Sequence, residues 1–403
     1  MRKRDKDIFT KGVNGCKHLG PRVAVVRGSD RKAITRKAVE LLGGMDKFIS
    51  KGDKVLIKPN MFTNTKEDIG FSTRPQVVEA LVEMALEAGA SKVYVGERGA
   101  MQRDIFEGTK VLEMAEMIRF DDADFDIVRI PGAKALKFGF RIPKILRECK
   151  VINVPVAKVH ALTQVTLSLK NLMGYICACD TGYVHLSGLL NSIIDLCLLK
   201  KPVLNVIDMT TGCEGNVPAF PTSPVKMNTV IASTDMVAVD AVAAYIMGFD
   251  PQEIRLIVLA HKRGLGEMDL KKIEIIGENP DALRRRFNTL WAESDWIDEY
   301  FEFIRDTACD ACENAVRCGL TAIKALEGVD FIKEVVDRYG KPVIVIGPRE
   351  KPIEGRKIVF YLGNCTARWM DEGFYHPGCP PLANQIRVFV SEVLKGILRG
   401  ECI

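Results

Sequence analysis

No run of about 20 apolar residues occurs in this chain, so nothing in it reads as a membrane-spanning helix. The start, Met1-Arg2-Lys3-Arg4-Asp5-Lys6, is basic but has no apolar segment behind it, and a secretory signal peptide is not expected. Aromatic residues make up 7% of the chain, and no basic patch interleaved with them follows that start, which argues against a nucleic-acid arm. A nucleotide fingerprint is missing too. Gly28-Ser29-Asp30 lacks the glycine spacing of a dinucleotide loop, and no Walker-type lysine loop follows a strand. Internal repeats and low-complexity tracts are absent. The expected compartment is the cytoplasm, with neither nucleic acid nor membrane as a partner.

What is present is an ordinary globular composition: 403 residues, 47% apolar, with a net charge of +5. This length suits two or three domains. Apolar runs at 21–28, 54–60, 92–97, 151–155, 203–208, 229–233 and 273–277 read as strands. Helical spacing separates most of them, notably at 34–42, at 75–89 with Pro75 opening the helix, at 186–199 and at 236–247. Buried Val, Ile and Leu runs alternating with helices predict an α/β fold whose sheet is largely parallel and covered by helices. A polar, aromatic stretch then leads to strands at 341–347 and 357–363 and a closing helix at 382–398. The expected division is a basic tail (1–20), an α/β anion-binding domain (21–280), a linker (281–305) and a smaller C-terminal α/β module rich in cysteine (306–403).

Twelve cysteines in a cytoplasmic chain point to thiolate ligands plus a few core thiols rather than to disulfides. Five of them, Cys309, Cys312, Cys318, Cys365 and Cys379, fall in loop-like settings within the last hundred residues. Cys365 follows a strand, and Cys379 precedes a helix whose free amides and positive dipole end favour an anionic centre. The expected occupant is a 4Fe–4S cluster on Cys309, Cys312, Cys365 and Cys379. Cys318 is the spare, and a zinc ion on four of the same thiols is the alternative.

Basic and amide side chains gather after the predicted strands, where open α/β sheets bind ligands. Lys58 and Asn60 end one strand. Arg74 precedes a helix, where its guanidinium can fork onto a carboxylate. Lys158 and His160 end another strand, Lys170 and Asn171 follow, and His185 comes later. The loop from Asp208 to Glu214 offers carboxylates to a cation or hydroxyl. Asp235 and Asp240 flank a helix start, where a capping role competes with substrate contact. His160, Lys170 and His185 are the candidates for catalysis. Lys58, Asn60, Arg74, Lys158, Asn171, Asp208, Glu214, Asp235 and Asp240 are the candidates for binding a small anionic substrate or cofactor.

Lys58-Pro59-Asn60, the segment from Asn153 to His160, Thr166 to Gly174, His185, Glu214-Gly215 and Ala232-Ser233 with Asp235 and Asp240 together resemble the domain-of-unknown-function 362 family, over residues 21–280. That resemblance implies an association with iron–sulfur chemistry. Gly378-Cys379-Pro380-Pro381 resembles the cluster-binding end of the NADH:quinone oxidoreductase small subunit. Thr73-Arg74-Pro75, His160, Lys170 and His185 resemble the active-site series of nickel-pincer lactate racemases. This last likeness implies Arg74 as carboxylate clamp, Lys170 as cofactor anchor, His185 as metal ligand and His160 as acid/base. The expected function is that of a redox protein, an oxidoreductase or electron-transfer component with a possible redox partner protein, coupling its cluster to an anionic substrate. A racemase-like isomerase or lyase and a non-catalytic zinc-binding interaction protein are the alternatives.

Overall fold

The computed structural model describes residues 20–61, 67–99, 103–215, 217, 222–289, 295–305, 308 and 310–401. Residues 1–19 of the basic tail and Cys309 lie outside the described residues. The chain divides into two units. One takes the described residues of Met1–Lys158, Thr163–Cys213 and Pro224–Phe287, the other those of Val159–Leu162, Glu214–Ser223 and Asn288–Ile403.

The first unit is built on a ten-stranded sheet. Across it run Glu274–Gly277, Arg22–Arg27, Thr222–Ser233, Leu204–Gly215, Lys150–Val154, Lys54–Pro59, Lys92–Glu97 and Glu116–Arg119, with Val156–His160 and Gln164–Thr166 off this path. From Leu204–Gly215 to Glu116–Arg119 the neighbours are parallel. Thr222–Ser233 meets Arg22–Arg27 antiparallel. The architecture is therefore α/β with a mostly parallel sheet, as its buried aliphatic strands require.

Pro75 opens the helix Pro75–Glu87 at a position where its missing amide costs nothing. That helix lays Val77, Val78, Leu81, Val82 and Ala85 against Val55, Ile57, Val93, Val95, Ile152 and Val154. Each of the Val, Leu and Ile side chains among them contributes about 1.5–3 kcal/mol by leaving water. Arg31–Leu41 packs beside it, started by Asp30, whose carboxylate accepts the Ala33 amide at 3.1 Å.

Two expectations change. The Asp208 to Glu214 segment, read as a loop, is part of the twelve-residue strand Leu204–Gly215, and its register against Val156–His160 shifts between Asp208 and Cys213. Gly212 permits this close pairing, since a Cβ there would lie 2.9 Å from the Ala157 carbonyl and 3.0 Å from the Phe287 ring. Residues 120–143, unassigned from sequence, hold a small antiparallel hairpin, Phe125–Val128 with Phe140–Pro143.

The second unit has four parallel strands in the order Glu302–Ile304, Val343–Ile346, Val359–Leu362 and Phe374–His376. Ile344, Ile346, Phe360 and Leu362 pack with Val316, Leu320 and Ile323 of Asp310–Glu327 and with Ile386, Val390 and Leu394 of Ala383–Leu398. Val343, Val345, Val359 and Tyr361 form a separate cluster. The stretch read as a linker contains Asp295–Tyr300 and the edge strand Glu302–Ile304. Its aromatics explain the difference, because Trp296, Ile297 and Phe301 are buried in this core. The closing helix, expected over 382–398, runs Ala383–Leu398, with Pro380 and Pro381 before its first residue.

Glu327, at the end of its helix, accepts from Arg387 at 2.5 Å, Lys395 at 2.7 Å and Ser391, all on Ala383–Leu398. Glu327→Ala leaves two cations without their shared carboxylate and is expected to lower stability by about 1–3 kcal/mol in urea denaturation.

Candidate functional site

The site in the first unit starts from strand register. Lys58 stands opposite Asn153, and Asn153 opposite Asn205, so three polar side chains form a row across three buried parallel strands. Buried polar groups need partners, and these have them. Asn153 Nδ2 donates to Ser168 Oγ at 2.8 Å and to Asn205 Oδ1 at 3.1 Å. Asn171 Nδ2 donates to Asn153 Oδ1 at 2.8 Å. Asn171 Oδ1 in turn accepts from Asn60 Nδ2 at 3.0 Å and from Lys58 Nζ at 3.3 Å.

Lys58 is fully buried and pairs with Glu97 at 2.5 Å. Burial pulls its ammonium below the ordinary lysine range, against the pull of Glu97. The next turn of chain closes onto this pair at Gly174, where a Cβ would sit 2.5 Å from Glu97 Oε1 and 2.6 Å from Lys58 Nζ. Lys158 donates to Asn60 Oδ1 at 2.6 Å and to the Phe71 carbonyl at 2.8 Å. Burial, helped by the neighbouring Lys170 charge, brings it down to about 7.

Lys170 rides on the four-residue helix Ser168–Asn171. Asp240 caps that helix, accepting the Ser168 and Leu169 amides at 2.7 and 2.9 Å. Burial pulls Lys170 down to about 8, and the Arg98 and Lys58 charges add to the shift. Its side chain contacts Met173 Sδ at 3.5 Å. Arg98 is held by Thr181 Oγ1 at 2.7 Å, at the start of the helix Thr181–Leu186. His185 lies on the same helix. Burial, then the Lys170 and Arg98 charges, lower its imidazole to about 4, so it is neutral at physiological pH. Its Nδ1 is buried and has no hydrogen-bond partner among the described residues.

Lys58, Asn60, Lys158, Lys170, Asn171 and His185 thus come together. Arg74 and Asp208 belong to an adjoining cluster. Asp208 accepts the Arg74 amide at 2.8 Å and the Thr210 hydroxyl at 2.7 Å, and burial raises its carboxyl. Arg74 donates through Nη1 to the Glu67 carbonyl at 3.1 Å, with Asp68 3.7 Å from its Nε. Asp235 caps the helix Met236–Ile246 through the Val237 and Ala238 amides at 2.8 and 2.9 Å. The two aspartates at that helix start therefore direct their carboxylates to backbone amides. His160 and Glu214 fall in the second unit, where His160 Nδ1 accepts the Leu162 amide at 3.1 Å and Glu214 accepts the Asn288 amide at 2.9 Å. Glu97 and Arg98 have no place among the binding candidates drawn from the sequence. Their signal was available: an acid and a base at the carboxyl end of a predicted parallel strand.

In the second unit, Asn364 and Gly378 tie two cysteine loops together. The Asn364 amide donates to the Gly378 carbonyl at 2.8 Å, and the Gly378 amide donates to Asn364 Oδ1 at 2.8 Å. Cys365 and Cys379, the next residues of each loop, are both exposed. Cys312, in the first turn of Asp310–Glu327, puts its Sγ 3.6 Å from where a Gly363 Cβ would be. Cys318 is buried deeper in that helix, and burial raises its thiol to about 12. Among the described residues, no three His, Cys, Asp or Glu side chains stand in metal-holding geometry.

Residues 55–245 match the family model described as a domain of unknown function, DUF362. The thylakoid-associated protein sll1697 of Synechocystis sp. (strain ATCC 27184 / PCC 6803 / Kazusa) is 28% identical over 247 residues, covering 58% of this chain and 75% of that protein. The matched region holds Lys58, Glu97, Lys158, Lys170 and His185, whereas the cysteines from Cys309 to Cys379 lie beyond it.

Burial holds Lys170 near 8 in the folded state, below the ordinary lysine value of 10.5. Between those values the unfolded chain binds the extra proton, so this residue makes stability rise with pH across that window. Wild type measured against Lys170→Met by urea denaturation at pH 7 and at pH 10 is expected to gain relative stability at the higher pH.

Proposed function

We propose that this member of the DUF362 family binds a small anionic substrate or cofactor, a carboxylate or phosphate, at the carboxyl ends of its parallel strands. Lys170 and Arg98 hold the anion, with His185 beside them. One observation carries the reading: the Lys170 ammonium is crowded by Arg98 and Lys58 and has a thioether as its described contact. Like charges so placed repel, and an anion between them removes that strain while gaining charge-assisted hydrogen bonds. The Lys58–Glu97 pair and the asparagine chain keep the surroundings rigid. A neutral His185 with a buried ring nitrogen suits proton exchange with a bound ligand.

A second reading concerns the second unit, where the juncture of the Cys365 and Cys379 loops with Cys312 Sγ nearby favours a thiolate-held centre. Cys309, Cys312, Cys365 and Cys379 would hold a 4Fe–4S cluster, and Cys318, buried with a raised thiol, is the poorer ligand. Such a cluster supplies one-electron transfer, and the protein would then couple redox chemistry to its anion. Zinc on the same thiols is the competing occupant. The cytoplasm remains the proposed compartment, although the related cyanobacterial protein is named for its association with thylakoids.

Inorganic phosphate and oxalate serve as probes in thermal-shift titration and calorimetry. Wild type is expected to bind at least one of them, Arg98→Ala and Lys170→Ala to bind about tenfold more weakly or worse, and binding to decline above pH 8 as Lys170 loses its proton. Equal binding by the variants would remove the proposal. For the cysteine module, protein isolated without oxygen is expected to contain iron and sulfide and to give a paramagnetic signal on reduction. Stoichiometric zinc without iron would exclude the cluster.

A further inference from the structure

We propose that the hairpin Phe125–Val128/Phe140–Pro143, with the adjoining helix Thr181–Leu186, is a docking surface for an anionic lipid bilayer. Strand alternation turns Val128, Phe140 and Ile142 inward, where all three are buried. The same alternation turns Phe125 and Ile127 outward, and they are 49% and 71% exposed. Phe138, 72% exposed, precedes the second strand of the hairpin, whose chain approaches Ile127 at Gly139, where a Cβ would lie 2.9 Å from Ile127 Cγ2. The Phe138 ring is 6.4 Å from that of Tyr183, and Leu186, one turn further along that helix, is 62% exposed. Single exposed apolar residues need no explanation, but four large ones gathered on one small hairpin and helix do.

Exposed cations border them. Arg129, Lys134 and Lys137 are exposed, and none forms an ion pair among the described residues. The hairpin's acids are matched within the fold, Asp126 by Arg147 at 3.0 Å and Asp124 by Lys144 at 3.7 Å. An apolar patch bordered by unmatched cations is complementary to an anionic headgroup layer over a hydrocarbon interior. The cationic loop is also held rigid. Buried Asp195 accepts the amides of Lys134, Ala135 and Leu136 at 3.2, 2.8 and 3.0 Å. No described helix is long and apolar enough to cross a membrane, so the contact is peripheral. It departs from the sequence-based expectation of no membrane partner, and it stands independently of the anion site, although His185 shares the helix that carries Leu186.

Flotation of the full chain with vesicles of phosphatidylcholine alone, or mixed with an equal part of phosphatidylglycerol, tests this. Wild type is expected to float with the mixed vesicles, to be released by high salt and to stay behind with phosphatidylcholine alone. Ile127→Asp/Phe138→Asp, checked for an unchanged circular dichroism spectrum and melting temperature, should bind about tenfold more weakly or worse. Arg129→Gln/Lys137→Gln should weaken binding and flatten its salt dependence. The proposal fails if wild type floats with neither vesicle, or if the double aspartate variant floats as well as wild type. It also fails if sedimentation shows that wild type uses this patch to pair with a second copy.

Discussion

Burying the Lys58 ammonium against the Glu97 carboxylate is the constraint on which the first unit's interior depends. Removing two charges from water has a penalty of several kcal/mol per ion, and the mutual attraction offsets it only with good geometry and satisfied neighbours. The surroundings show how that condition is met. Asn171 offers its carbonyl oxygen to Lys58 and passes its amide to Asn153, which continues to Ser168 and Asn205. Asp240 fixes the short helix from which Asn171 and Lys170 project. Gly174 leaves room for the chain to close over the pair. Each element is ordinary alone, and together they form one connected polar interior.

A rigid, low-dielectric interior also decides the chemistry at its edge. Lys158 and Lys170 cannot relax toward water, so burial and the positive charges around each lower both ammonium groups toward neutrality. The same field keeps His185 uncharged. Groups poised in this way are found where ligands bind or protons move. The second unit works on a different principle. Its small parallel sheet carries hydrophobic clusters on both faces, and the chemistry-bearing thiols stand on the loops that this core positions.

Much of this was legible in the chain. The seven strands expected in the first part and the closing helix are present, most with shifted ends and Lys92–Glu97 as expected, because unbroken Val and Ile runs flanked by helical spacing have few other solutions. The resemblance to the DUF362 family, read from Lys58-Pro59-Asn60 through Asp240, agrees with the matched region. Less visible were elements whose pattern depends on distant partners. The linker from 281 to 305 reads as polar until Trp296 and Phe301 find a core to enter. Residues 208–215 carry turn-forming glycines, and they extend as strand because neighbouring backbone pairs with them despite a shift in register.

Local order along the chain determined the elements themselves: aliphatic runs make buried strands, Pro75 opens a helix, and Asp235 caps one. It also determined that lysines and asparagines would follow strand ends. Tertiary structure decided which of them meet. Glu97 became the partner of Lys58, Arg98 and His185 the neighbours of Lys170, and Asp240 a cap for a helix 72 residues away. His160 and Glu214 went to the other unit. The physical reason is that spacing specifies a residue's face on its own strand or helix, whereas a buried charge is settled by whichever partner the packing brings within hydrogen-bond reach.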